Sequence, residues 1–141
     1  MKKKVTIIIP VYNGSNYVRE AIDSALAQTY KNIEILVVND GSTDEGATRD
    51  ICLSYGDKIT YYEKKNGGVS TALNLGIEKM TGEYFSWLSH DDLYYPDKIE
   101  KQMKEMEKHD KNTIIYSNVD LIDLNGKRFQ TILYDHEMLT K

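Results

Sequence analysis

Apolar residues along this chain follow two alternating patterns, short unbroken runs and longer stretches at helical spacing. Val5-Thr6-Ile7-Ile8-Ile9-Pro10-Val11 is nearly all apolar and rich in β-branched side chains. Such a run predicts a strand covered on both faces, as in a parallel sheet. Asn13-Gly14-Ser15-Asn16 follows with turn and helix-capping chemistry. From Tyr17 to about Gln28, Val18, Ile22, Ala25 and Leu26 recur at the spacing of one helical face. Ile33-Glu34-Ile35-Leu36-Val37-Val38 reads as a second buried strand, ending in Asn39-Asp40-Gly41-Ser42. A helix is expected over 44–54, with Asp44 as its cap, then a more polar strand over 59–63. Asn66-Gly67-Gly68 interrupts the chain before a helix over 69–79 that carries Ala72, Leu73 and Ile77. Gly82 turns into a strand over 83–88, and Pro96 suits the first turn of a helix with Ile99, Met103 and Met106 on one face. A fifth strand is predicted over 113–119, and Asn125-Gly126 signals a hairpin between Leu121-Ile122 and Phe129–Leu133.

Alternation of strand and helix points to an α/β fold, a mostly parallel sheet with helices on both faces. The hairpin departs from that rhythm and is expected as an antiparallel addition at one sheet edge. No repeat, low-complexity stretch or linker interrupts the 141 residues, so one domain is expected. Composition changes this little: 40% hydrophobic and 28% charged residues are ordinary for a soluble globular chain. A net charge of −4 argues against a nucleic-acid partner, which calls for a basic face. Lys2-Lys3-Lys4 reads as solubilising the start of a strand. No segment approaches the roughly 18 apolar residues of a membrane span, and the first residues lack the pattern of a signal peptide. Cys52 stands alone, which fits a reducing compartment and a cytoplasmic location. Its place in a helical pattern suits a buried small hydrophobe. The eleven tyrosines are read as core and rim packing, with a sugar-accommodating surface as the other possibility.

Ligands of open α/β sheets bind beyond the carboxyl ends of the strands, at a topological switch point. Three polar stretches fall at such ends: Pro10-Val11-Tyr12-Asn13, Asn39-Asp40-Gly41-Ser42 and Ser89-His90-Asp91-Asp92. A fourth, Asn66-Gly67-Gly68-Val69-Ser70, opens a helix whose free amides can receive an anion. Asp91 and Asp92 follow the run Tyr84-Phe85-Ser86-Trp87-Leu88. Two carboxylates there suit a hard divalent cation that shares its oxygen ligands with phosphates. Ordinary loop acids capping the next helix are the alternative. His90 is read as their hydrogen-bonding neighbour rather than a ligand. The chain has no Walker phosphate loop, no Gly-x-Gly-x-x-Gly after its first strand, no Gly-x-Ser-x-Gly elbow and no Cys/His metal spacing.

Taken in order, these stretches resemble the family 2 glycosyltransferases of GT-A fold. The resemblance runs through Val5 to Asn13, Val37 to Asp44, Asn66 to Ile77 and Gly82 to Leu93, about two-thirds of the chain. It implies a Rossmann-like nucleotide-diphospho-sugar transferase sandwich. It also implies transfer of a sugar from a nucleotide diphosphate sugar, a UDP-sugar by preference, to a saccharide or lipid-linked acceptor, with inversion and metal assistance. By the same resemblance Pro10, Val11 and Tyr12 cradle the nucleoside, Asp40 reads a ring N–H of the base, and Gly68 to Ser70 lie beside the nucleotide. Asn74 matches an asparagine that fixes local structure. The family's Asp-x-Asp motif maps onto Ser89-His90-Asp91. Asp91 is then the ligand of Mg²⁺ or Mn²⁺ and a nucleotide contact, Ser89 replaces the first acid, and Asp92 is an auxiliary metal ligand or a helix cap.

The family's catalytic base lies well C-terminal to that motif. Asp120, Asp123, Asp135 and Glu137 are the carboxylates left, and none sits in a family context. No catalytic residue is assigned, and the base is expected beyond Lys141. Residues 1–141 are thus expected to be a single donor-binding domain, truncated at its C-terminus, that binds nucleotide without robust transfer. The cytoplasm, at the inner face of the membrane for the full-length enzyme, is the expected location, and bacterial surface-polysaccharide assembly is the setting the resemblance suggests. Two other readings are a non-catalytic nucleotide-binding module and a nucleotidyltransferase. The second is disfavoured because Tyr12-Asn13-Gly14-Ser15-Asn16 carries no cation for a triphosphate.

Overall fold

All seven residues of β1 (Val5–Val11) are buried, because this strand is paired on both edges and covered on both faces. The computed structural model describes residues 2–110 and 112–134. It divides into two compact units, Met1–Lys101 and Gln102–Lys141. In the first, β1 runs parallel to β2 (Ile33–Asn39), with Val5 opposite Ile33 and Val11 opposite Asn39. On its other edge it runs parallel to β4 (Tyr84–Trp87), from Val5 opposite Tyr84 to Ile8 opposite Trp87. β3 (Thr60–Glu63) lies outside β2, which gives the order β3-β2-β1-β4.

The chain therefore steps outward from β1 to β3 and then returns to the far side of β1. Right-handed crossovers place helices on one face for the outward steps and on the other for the return. α1 (Val18–Leu26) and α2 (Ala47–Leu53) make the first two connections, α3 (Val69–Lys79) the third. Ala72 of α3 meets Ile8, Leu36 and Val38 in one fully buried cluster. Side chains alternate along a strand, so Ile7 and Ile9 turn to the face that α1 covers with Val18, Ala21, Ile22 and Ala25. Cys52 of α2 is buried, and burial first, then nearby Asp44, pushes its thiol up to about 12. That suits a packing residue and not a nucleophile.

Pro10 sits where a central strand tolerates a proline. Ile8 O accepts from Leu88 N at 3.0 Å on the β4 side, and Val11 O accepts from Asp40 N at 2.8 Å on the β2 side. Alternation puts the nitrogen of Pro10 on the β4 side, beyond the last β1–β4 pair. No ladder bond is lost there, and the two strands part.

Three expectations need correction. α2 begins at Ala47 rather than 44. Glu45 and Gly46 take φ of 55° and 90°, outside the helical region, so Gly46 rather than Asp44 is the N-cap, although Asp44 Oδ2 still accepts from Thr48 N in the first turn at 3.1 Å. Residues 113–118 form no strand; β5 is Val119–Ile122, antiparallel to β6 (Arg128–Ile132). A strand exists only where it finds a partner, and the turn fixes which residues do: Asp123 Oδ1 accepts from both Asn125 N and Lys127 N at 2.9 Å. The hairpin is a separate two-stranded sheet, not an addition to the edge of the parallel one, because its pairing is satisfied locally.

The segment after the acidic pair is tied to α1 by Gln28, which is 0% exposed. Its Nε2 donates to Ser24 O at 3.2 Å and Tyr95 O at 2.9 Å, and its Oε1 accepts from Ile99 N at 3.1 Å. That last bond satisfies an otherwise orphan amide in the first turn of α4 (Lys98–Met106). Thr29 N to Pro96 O, at 2.8 Å, and Tyr94 N to Ser24 Oγ, at 3.2 Å, close the seam. Among the described residues no helix is long and apolar enough to cross a membrane. Gln28→Leu keeps the volume but removes the acceptor of a buried amide. It should lower unfolding stability by about 2–3 kcal/mol in urea titration.

Candidate functional site

The strand order turns back at β1, so the switch point lies between the carboxyl ends of β1 and β4. A cleft of about 230 Å³ opens there, lined by Pro10, Val11 and Tyr12, by Asp40 at the end of β2, by Val69 of α3, and by Ser89, His90 and Asp91. Residues far apart in sequence thus meet because four polar strand and helix ends share one rim. A larger cleft, about 380 Å³, lies at the amino ends of the strands near Lys4, Ile33, Glu34 and Thr60. Glu34 there is already engaged by Thr6 Oγ1 at 2.6 Å and by Thr81 N at 2.9 Å. Position and convergent polar groups, not size, single out the switch-point cleft.

Asp40 is 3% exposed and anchors the rim. Its Oδ1 accepts from Lys64 Nζ at 2.7 Å and Gly67 N at 3.0 Å, and its Oδ2 accepts from Gly68 N at 2.8 Å. Burial alone raises its pKa. The hydrogen bonds from Lys64, Gly68 and Gly67, with the charge of Lys64, outweigh that and hold the carboxyl below its ordinary value of 3.8. Asn66 Nδ2 donates to Asp40 O at 3.0 Å, so the whole Asn66–Gly68 turn is strapped to this residue. A Cβ on Gly67 would lie 2.8 Å from Thr71 Oγ1 and 3.0 Å from Lys64 Nζ. Only glycine lets the turn close over the ammonium.

The neighbouring loops are stitched together. Buried Asn39 accepts from Ser42 N at 3.0 Å and Ser42 Oγ at 2.7 Å, and donates to Tyr61 OH at 2.9 Å. Asn13, at φ 48°, donates from N to Ser42 Oγ at 2.9 Å and accepts from Thr43 N at 2.7 Å. Gly14 N donates to Thr48 Oγ1 at 3.0 Å. A Cβ on Gly14 would fall 2.5 Å from His90 Cδ2, so the His90 ring packs against the loop that follows β1.

Asp91 and Asp92 are both exposed, and Asp92 N closes a turn onto Ser89 O at 3.1 Å. Partial desolvation, then the charge of Asp91, raise the Asp92 carboxyl, against the smaller opposing effects of Ser89 and His90. Crowded carboxylates of this kind are what a divalent cation relieves. Among the described residues no group of three or more His, Cys, Asp or Glu could cage a metal. The cleft lining also contains no Lys or Arg. These residues therefore fit Mg²⁺ or Mn²⁺ held by one or two carboxylates, with phosphate and water completing its shell.

Of the residues singled out from sequence, Pro10, Val11, Tyr12, Asp40 and Asp91 line the cleft together. Gly68, Ser70 and Asp92 do not line it; Gly68 is bonded to Asp40, Ser70 is in the first turn of α3 and Asp92 adjoins Asp91. Asn74 is exposed one turn further along α3. Asp120 accepts from Thr131 Oγ1 at 2.5 Å and Asp123 caps its turn, while Asp135 and Glu137 lie outside the described residues. Val69 lies within the stretch from Gly68 to Ser70 singled out from sequence, whereas Lys64, Thr71 and the packing of His90 on Gly14 were not anticipated. Lys64 directly follows β3, so the strand-end rule applied to that strand would have found it.

The family model described as Glycosyl transferase family 2 matches residues 6–139. An "Uncharacterized glycosyltransferase" of Rickettsia bellii is 64% identical over 137 residues, which is 96% of this chain and 20% of that protein. Glycosyltransferase GlyA of Streptococcus pneumoniae serotype 4 is 38% identical over 94% of this chain and 19% of its own length. The chain thus spans about a fifth of either relative. Among solved structures, S. aureus TarS 1-349 in complex with UDP-GlcNAc superposes with a TM-score of 0.67 at 26% identity, over 75% of this chain and 32% of that one. The mannosyltransferase PcManGT of Pyrobaculum calidifontis, in complex with GDP-Man and Mn²⁺, gives 0.64 at 25% identity over 75% and 33%.

Asp40→Asn should lower stability at pH 7 by about 2 kcal/mol or more, since it strips Lys64 of its counter-charge. A carboxyl with a lowered folded pKa stabilises above its unfolded value, and that contribution disappears as pH falls through the folded value. Urea unfolding from pH 7 to 2 should therefore show the gap between wild type and Asp40→Asn closing as the solution becomes acidic.

Proposed function

The chain belongs to glycosyl transferase family 2, and on that footing we propose that its switch-point cleft holds the nucleotide of a sugar donor. The observation that carries this reading is the meeting of Pro10–Tyr12, Asp40 and Ser89–Asp91 around one cleft at the carboxyl ends of the strands. The complexes of two fold neighbours with UDP-GlcNAc and with GDP-Man and Mn²⁺ support it. Tyr12, 44% exposed, offers an aromatic face to the nucleoside. Asp40 offers the base an acceptor, and the first turn of α3, whose Val69 lines the cleft, offers the phosphates helix-start amides.

A nucleoside diphosphate is an anion, and this cleft presents carboxylates without a lining Lys or Arg. Asp91, with Asp92 beside it, would hold the divalent cation that makes the pairing favourable. When bound, that cation supplies Lewis-acid stabilisation of the charge gathering on a departing diphosphate. Asp91 anchors this function, Asp40 fixes the base end, and the rigid loops between them set the distance over which the donor must extend. In the whole protein the reaction is transfer of the sugar, with inversion, to a saccharide or lipid-linked acceptor, in the cytoplasm at the inner face of the membrane. Asp120 and Asp123 are engaged within their own hairpin, which favours donor binding rather than complete transfer as the work of this chain.

Calorimetric titration with UDP in Mg²⁺ or Mn²⁺ should show saturable binding that weakens at least about tenfold on chelation and in Asp91→Ala. Asp40→Ala should weaken it comparably without abolishing its dependence on metal. Absence of UDP, GDP and UDP-sugar binding under all of these conditions would reject the reading.

A further inference from the structure

We propose that Lys64 sets the base selectivity of this cleft, leaving Asp40 a single acceptor position that suits a uracil-type imide N–H and disfavours guanine. This rests on the nucleotide reading above and adds to it a residue with a defined task. A carboxylate offers about four acceptor positions, two on each oxygen. In Asp40, Lys64 Nζ and Gly67 N take both positions on Oδ1, at 2.7 and 3.0 Å, and Gly68 N takes one on Oδ2, at 2.8 Å. One position on Oδ2 remains, on a side chain that lines the cleft.

Lys64 is held where it is. Its Nζ also donates to Lys65 O at 2.6 Å and to Thr71 Oγ1 at 2.8 Å. An ammonium has three protons, and all three are engaged. Lys64 therefore does not reach out to a phosphate; it works on Asp40. Thr71 Oγ1 in turn donates to Gly68 O at 2.8 Å, so the lysine, the turn and the start of α3 form one closed set of bonds.

The bases differ in what they bring to a lone acceptor. Uracil presents one imide N–H between two carbonyls. Guanine presents a ring N–H and an adjacent amino N–H, which a carboxylate satisfies with both oxygens. With Oδ1 filled, one guanine donor is left unpaired in a desolvated site, and an unpaired donor is what makes hydrogen-bonded pockets selective. Cytosine and adenine bring a ring nitrogen lone pair where a donor is needed, which the carboxylate repels.

The test is calorimetric titration of the chain with UDP, GDP and CDP at fixed Mg²⁺. Wild type should bind UDP about tenfold or more tightly than either of the others. Lys64→Met frees a position on Oδ1, and should bring GDP to within about threefold of UDP while CDP stays weak. Lys64→Arg, which still donates to Asp40, should keep the wild-type gap. Circular dichroism melts identify which variants are folded; if Lys64→Met is not, the wild-type and Lys64→Arg ratios decide. Equal binding of UDP and GDP by wild type, or a full gap in folded Lys64→Met, overturns the role of Lys64 and leaves the nucleotide reading standing. If none of the nucleotides binds, both fall together.

Discussion

β1 is hydrogen-bonded on both edges and covered on both faces, and every other feature of the first unit is arranged around that constraint. A strand so enclosed can meet a ligand only beyond its end. Its two parallel neighbours are reached by crossovers of the same hand, so the chain must leave on one face and return on the other. The gap this leaves between the ends of β1 and β4 is a consequence of topology rather than of any side chain. Pro10 marks its start. Lacking an N–H, it can stand in a central strand only where the partner on that side has already ended.

Around that gap, polar groups are spent on one another before they are offered to a ligand. Asn39, Ser42, Asn13, Thr43 and Thr48 tie the loop after β1 to the loop after β2. Asp40 collects three donors from the Asn66–Gly68 turn and from Lys64. Such closure keeps buried polar groups satisfied and fixes the few that remain open. The acidic pair at the end of β4 is different, because Asp91 and Asp92 are exposed and crowd each other. One side of the cleft is a rigid, pre-paired frame, and the other is an unneutralised charge that suits a cation arriving with an anionic ligand.

Much of the fold was legible because periodicity is local. β1, β2 and α3 fall within a residue of where the apolar pattern puts them. The pattern failed where structure depends on a partner. Ile114 and its neighbours carry the residues of a strand, yet among the described residues 113–118 join no strand ladder, while Val119–Ile122 pair because the Asp123–Lys127 turn delivers β6 to them. α2 starts late because Glu45 and Gly46 adopt positive φ, which no hydrophobic spacing announces.

Local pattern was enough to mark β1 and β2 as buried strands, to show that strands and helices alternate, and to put Pro10–Tyr12, Asp40 and Asp91 at strand ends. Those properties follow from side-chain chemistry read a few residues at a time. It took the folded chain to bring these ends to one cleft, to pack His90 on Gly14, and to deliver Asp40 already bound by Lys64 and two backbone amides. A carboxylate's free capacity depends on donors brought to it from 24 to 28 positions away, and strand order, not local pattern, brings them there.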